Sequence, residues 1–179
     1  MYHPSVYDNL KVVFEGVVYD SDFSGEIEII NREDIVDFAV IEKRNSISFI
    51  VLGISDSIKG KVILSTNLAN LATEKLQDNP EGAGCNLSIE IETPVYEIET
   101  DCKKLQMILK KWTTGEIKSK MEQKLTYIYG ESRNVFYNTV SINIEKPVTE
   151  DDTERFSEVL GEVIASIKEF NQYFKGYKK

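Results

Sequence analysis

The chain has 179 residues, is 41% hydrophobic and 28% charged, and carries a net charge of −9, a balance that fits a globular domain and excludes disordered and collagen-like classes. No window approaches the ~18 continuous apolar residues that cross a bilayer, and Met1-Tyr-His-Pro-Ser5 lacks the basic and apolar regions of a signal peptide. Two cysteines, Cys85 and Cys102, are too few for a disulfide-stapled secreted protein, so a cytoplasmic location is expected, with residues 1–179 forming one domain.

Taken in chain order, the first 65 residues read mainly as strands. Asn9 to Tyr19, with its Val-Val-Phe and Val-Val-Tyr runs, and Gly25 to Ile30, with alternating Glu and Ile, are separated by Asp-Ser-Asp-Phe-Ser. Ile35 to Glu42 and Ile47 to Ile54 flank Lys43-Arg-Asn-Ser46, a polar run that suits a hairpin turn. Lys61 to Leu64 adds a further strand. Leu68, Leu71, Ala72 and Leu76 then fall at helical spacing within Asn67 to Gln77, and Asp78 to Gly84 ends that helix with glycine and proline.

Asn86 to Glu92 reads as a strand that resumes after Pro94. Asp101 to Trp112 reads as a helix, with Cys102, Leu105, Ile108, Leu109 and Trp112 on one side and Lys103, Lys104, Lys110 and Lys111 on the other. Gly115 to Lys124 leans towards helical turns. Leu125 to Tyr129 and Val135 to Glu145 form a hairpin around Gly130 to Asn134. In the last element Phe156, Val159, Leu160, Val163, Ile164, Ile167, Phe170 and Phe174 make one apolar stripe, with Thr149 as N-cap and Glu150, Asp151 and Asp152 in the first turn, where the helix dipole favours negative charge. The expected fold is α+β: a largely antiparallel sheet, helices packed on one face, and a long C-terminal amphipathic helix.

Leu87-Ser-Ile-Glu-Ile-Glu-Thr-Pro94-Val is echoed by Val140-Ser-Ile-Asn-Ile-Glu-Lys-Pro147-Val. Each copy alternates apolar and polar residues, reaches a Pro-Val step and leads into a helix. The echo suggests a strand-turn-helix unit used twice, over 87–112 and 140–175.

Catalytic material is scarce. His3 is the only histidine and sits in a terminus, so a triad would need that terminus folded back into a site. Two cysteines and one remote histidine do not supply zinc-ligand spacing, and Gly82-Ala-Gly84 lacks the residues of a phosphate or dinucleotide loop. Cys85, in a glycine-bounded loop, is the more accessible thiol by sequence, yet a free cysteine there reads best as a small buried residue. No cofactor is expected.

Asp20-Ser-Asp-Phe-Ser-Gly25 places Asp20, Asp22 and Ser24 as in the first half of an EF-hand calcium loop, but Asn31 stands where the closing bidentate Glu belongs. A turn explains the same residues without a metal. The pairs Glu26/Glu28 and Glu90/Glu92 alternate with Ile and read as solvated sheet faces. Residues 1–100 carry 18 acidic and 7 basic side chains, net −11, and residues 101–179 carry 12 and 14, net +2. An acidic N-terminal part repels phosphate backbones, and the seven lysines of Lys103 to Lys124 come with no arginine for bidentate phosphate recognition, so nucleic-acid binding is not expected.

Acidic strands, a long amphipathic helix and a missing catalytic set point to a non-enzymatic protein-interaction module, an immunity-protein or chaperone-like binder whose partner is another protein. The alternative is a small-ligand-binding domain with a pocket between sheet and C-terminal helix, lined by Tyr127, Tyr137, Phe156 and Phe170.

Overall fold

The first element overturns the strand expected over residues 9–19. In the computed structural model, which describes residues 5–76, 84–115, 118–130 and 135–176, Val6–Phe23 is a helix, α1. Its buried residues Val6, Tyr7, Leu10, Phe14 and Val18 follow helical spacing, and Ser5 closes a capping box with Asp8, satisfying two otherwise orphaned N–H groups. Partial burial pushes the Asp8 carboxyl up, but the Ser5 hydroxyl, the Ser5 backbone N–H and Lys43 outweigh it and hold it at about 2. Gly25, with φ of +75°, lies just past the Ser24 cap and ends the helix in a left-handed conformation that glycine adopts without strain. The β-branched pairs Val12-Val13 and Val17-Val18 imitate a strand, yet Val12 lies on the solvent side of this helix.

Six strands follow among the described residues: β1 (Ile27–Asp37), β2 (Glu42–Val51), β3 (Lys59–Thr66), β4 (Asn86–Val95), β5 (Ser119–Tyr127) and β6 (Phe136–Ile144). They form one antiparallel sheet in the order β1-β2-β3-β4-β6-β5. Three further expectations are corrected here. Lys43-Arg-Asn-Ser46 is no turn, because β2 runs straight through it and the reversal falls at residues 38–41. Residues 119–124 are strand and not helical turns, because Met121 and Gln123 alternate with Lys120, Glu122 and Lys124 along the edge. Nor is Ile35 to Glu42 a strand of its own: residues 35–37 continue β1 from Ile27, and residues 38–41 form the reversal into β2. The strand expected over residues 86–92 is observed, although β4 continues through Pro94. The loop expected over residues 78–83 and the hairpin turn over residues 131–134 lie outside the described residues.

The helices are α2 (Leu68–Leu76), α3 (Ile98–Ile108), α4 (Lys110–Thr114) and α5 (Glu154–Lys175), so the chain has five α-helices among its described residues and the α+β architecture expected of it. Thr149 opens a 3-10 turn, Glu150–Asp152, without a side-chain cap bond, and α5 starts after it. The buried side of α5 carries Phe156, Val159, Leu160, Val163, Ile164, Ile167 and Phe170. These meet the alternate residues of the inner strands, among them Ile47, Phe49, Val62, Leu64, Ile89, Ile91, Val140 and Ile142, each worth roughly 1.5 to 3 kcal/mol when fully buried. At Gly60 the contact is closest: a Cβ there would come within 2.7 Å of Phe49 and 2.9 Å of Ile167, so the absent side chain is what lets α5 sit down on β3.

The opposite face of the sheet carries Ser48, Lys61, Glu90, Ser141 and Glu122 along one row of paired residues. Glu92 meets Lys59 at 3.5 Å and Glu33 meets Lys61 at 3.4 Å, so this face is solvated, as one-sided antiparallel sheets commonly are. The echoed strands β4 and β6 are direct neighbours. Ile89 pairs with Ile142, its counterpart in the echo, so the two echoed segments run antiparallel side by side, with a local two-fold at that pair.

Ile164 is 3% exposed on the stripe of α5, and Ile164→Asp would bury an unpaired carboxylate. The expected loss is about 3 kcal/mol or more, read as a large fall in melting temperature; an unchanged melt would mean that α5 does not hold the sheet.

Candidate interaction surface

Asp101 is fully buried at the start of α3. Its carboxylate accepts the Tyr96 and Glu97 N–H groups at 2.8 and 2.9 Å and the Tyr173 hydroxyl at 2.7 Å, which ties the first turn of α3 to the end of α5. On the other side of α3, the Asn138 amide donates to Gln123 at 2.7 Å and to the Cys102 sulfur at 3.2 Å. These hydrogen-bonded groups position elements, and no nucleophile among them is paired with a base.

The residues singled out from the sequence are not brought together. Phe156 and Phe170 are buried and fill the space between sheet and α5, Phe156 meeting Phe14 edge to face at 5.5 Å between ring centres. Tyr127 pairs with Phe136 and Tyr137 with Thr126, which puts the two tyrosines on opposite faces of the sheet. Asp20 and Asp22 belong to the last turn of α1 and Ser24 caps it. The Asp22 carboxylate accepts the Ile29 N–H at 3.1 Å, and the Ser24 hydroxyl donates to the Ser21 carbonyl at 2.9 Å. Glu33 and Asp34, just beyond, are engaged by Lys61 and Lys11. Among the described residues no group of three or more His, Cys, Asp or Glu side chains is arranged to hold a metal, and His3 lies outside them. Of the carboxylate pairs, Glu26 meets Lys168 on α5 at 3.0 Å, while Glu90 and Glu92 line the polar face.

Cys85 is 1% exposed. Desolvation, with the charges of Glu74 and Asp8 adding to it, pushes its thiol up to about 12. Burial also raises Cys102, which is partly exposed.

The surface that stands out was not singled out from the sequence. Residues 38–41 carry the chain from β1 to β2, and Ile35, Val36, Phe38, Val40 and Ile41 are all exposed around this reversal, Phe38 at 88%. Ile41 has φ of +55°, a left-handed conformation that is rare for a β-branched residue and costs on the order of 1 to 3 kcal/mol. Asp37 and Glu42 face each other on the last rung of the hairpin, where like charges directly opposite are destabilising. The one visible sequence signal is an apolar run, Phe38-Ala-Val-Ile41, bracketed by carboxylates; read by periodicity it looks like strand, and it contains none of the usual turn residues. At the far end of the sheet an open groove of about 740 Å³ runs beside α3 and α5, lined by Glu99, Thr100, Lys103, Lys104, Met107 and Tyr173.

Among the described residues no helix is long and apolar enough to cross a membrane. Compared with protein-family models, with curated proteins and with solved structures, the chain matches none.

Two outcomes are expected at these residues. Calorimetry should give no calcium binding tighter than about 1 mM, since two carboxylates, that of Asp22 already accepting the Ile29 N–H, fall at the weak extreme of the EF-hand range; micromolar binding abolished by Asp20→Ala would contradict this placement. In the native protein a maleimide should label Cys102 slowly and leave Cys85 untouched until denaturant is added, because the thiolate is the reactive form. Rapid native labelling of both thiols would show that the β4 end is open.

Proposed function

We propose that the protein is a non-enzymatic, cytoplasmic protein-interaction module whose partner is another protein, and that the β1–β2 tip is the element it docks with. The observation that carries this reading is the tip itself, where five apolar side chains stand in solvent, a strained Ile41 among them. Exposed apolar residues scattered singly need no explanation, but a contiguous set on a protruding element marks an interaction site. Strain of this kind persists where function selects it. The polar face of the sheet, with its paired lysines and glutamates, supplies solubility and no anchor of hot-spot type.

Replacing Phe38 by a photoreactive benzoyl-phenylalanine in the cells of origin should give a discrete adduct with a polypeptide, while the same label at Ser141 on the polar face should give none. The captured partner, once purified, should bind the unaltered protein at least about tenfold more tightly than the Phe38→Asp variant, the loss of one hot-spot contact. Equal adducts from both positions, or none from position 38, would sink the reading.

A further inference from the structure

We propose that the occupant of the tip is a second copy of this chain: the β1–β2 tip of one molecule enters the α3/α5 groove of the next. The inference rests on the reading of the tip as a docking element and adds its partner.

The two surfaces offer each other apolar contact and charges of opposite sign. The tip presents Phe38 at its apex, flanked by Asp37 and Glu42, which pair on the last rung, with Arg44 exposed two residues further along β2. Neither carboxylate forms an ion pair among the described residues. The groove presents Met107, 62% exposed, and Tyr173 as its apolar floor, with Lys103, Lys104 and Glu99 along the lining. Neither lysine has an ion-pair partner among the described residues. Asp37 and Glu42 beside an apolar plug would therefore meet Lys103 and Lys104 beside an apolar floor, with Arg44 opposite in sign to Glu99. A lysine brought between Asp37 and Glu42 would also remove the like-charge repulsion on that rung.

The groove is ready for such a guest. Tyr173 is held by its hydrogen bond to Asp101 and stacks edge to face on Phe174 at 4.9 Å, so little ordering remains to oppose binding. Met107 is unbranched and adapts to the shape it meets.

A single molecule cannot make this contact with itself. The tip lies beyond the Thr66 end of β3, next to the rung that pairs Lys43 with Thr66, whereas α3 follows Val95 beyond the Lys59 end. The eight residues of β3 alone separate the two ends by about 27 Å. The interface is then heterologous, head to tail, and extends into rings or open chains instead of stopping at a symmetric dimer. A contact limited to a hairpin tip belongs to the weak, reversible class of interface. Anionic lipid is disfavoured as the occupant, because the carboxylates at the apex meet a negative surface.

The test is the mass of the full chain in solution by sedimentation velocity, with circular dichroism of each variant to establish folding. The unaltered protein should show a mass above that of one chain that rises with concentration up to about 1 mM and falls as salt is added. Phe38→Asp, the pair Asp37→Lys with Glu42→Lys, and the pair Lys103→Glu with Lys104→Glu should each stay folded and weaken self-association at least tenfold. Mixing the last two variants should restore it, because the basic tip of one then faces the acidic groove of the other while the unaltered groove and tip also match. A monomeric mass throughout, association untouched by these substitutions, or a monomer that instead sediments with phosphatidylcholine vesicles through Phe38 would each overturn the proposal. A monomeric mass together with a specific photo-adduct to a different polypeptide from position 38 would overturn the second copy as occupant and leave the docking element standing; failure of both would remove both.

Discussion

The apolar stripe of α5 laid across the inner strands is the contact on which the other features depend. It commits one face of the sheet to the core, and Gly60 shows how close the commitment is, since even one carbon atom there would collide with Phe49 and Ile167. Once that face is taken, α1 and α3 must find room beside α5 on the same side. They do so with specific polar ties: the end of α5 is held to α3 through Tyr173 and Asp101, and α4 is held to it through Trp112, whose indole N–H donates to the Ser166 hydroxyl at 3.4 Å. The remaining face has only solvent to satisfy it, which is why it carries serines, threonines and paired charges. Period-two alternation and one-sided burial are the same constraint seen in sequence and in space.

That constraint also explains what is left over. A hairpin that outruns the helical layer has nothing to bury its apolar residues against, and this is the situation of residues 38–41. Elsewhere charged groups near element ends have internal partners: Asp8 caps its own helix and Asp22 accepts the Ile29 N–H. At the tip the Asp37 carboxylate accepts the Ala39 N–H at 2.8 Å, which shapes the turn but does not cover Phe38. A left-handed β-branched residue, like charges on one rung and an exposed aromatic ring together in one place are more informative than any one of them alone, because folding gives no reason to keep all three.

The sequence was most legible where one pattern acted alone. The α5 stripe, the Leu105-Leu109-Trp112 side of residues 101–112, the alternation of β4 and β6 and the helical spacing after Asn67 all carried over into the structure. It misled where two patterns overlapped. In α1, valine pairs argued for a strand while Ser5-x-x-Asp8 and Gly25 argued for a helix, and cap chemistry together with burial of Leu10, Phe14 and Val18 prevailed. In β2, Lys43 to Ser46 were polar because Lys43 reaches Asp8 and Ser46 bonds Glu33, partners that no local reading can supply. The true turn was apolar and so looked like strand. Of the pocket residues read from the stripe, Phe156 and Phe170 were correctly seen as inward-facing, but inward from both sheet and helix means close packing and not an open space. The tip could not be found by asking which residues resemble a known site, since its signal is the absence of turn chemistry where a turn is required.

The local two-fold adds a reason for the asymmetry of the molecule. Val62, Ile89, Ile142 and Met121 form a row across β3, β4, β6 and β5, with β4 and β6 exchanging places about the axis and β3 and β5 flanking them. Within that central set neither end of the sheet differs in kind from the other. The β1–β2 hairpin has no counterpart on the β5 side, and the strand that leads to α3 gives way to a helix half the length of α5, 11 residues against 22. The elements outside this central set are therefore the ones that make the two ends of the molecule unlike, with Phe38, Asp37 and Glu42 at one and Met107, Lys103 and Lys104 at the other. Contact between unlike ends runs head to tail, because Asp37 and Glu42 find lysines at the opposite end and carboxylates at their own.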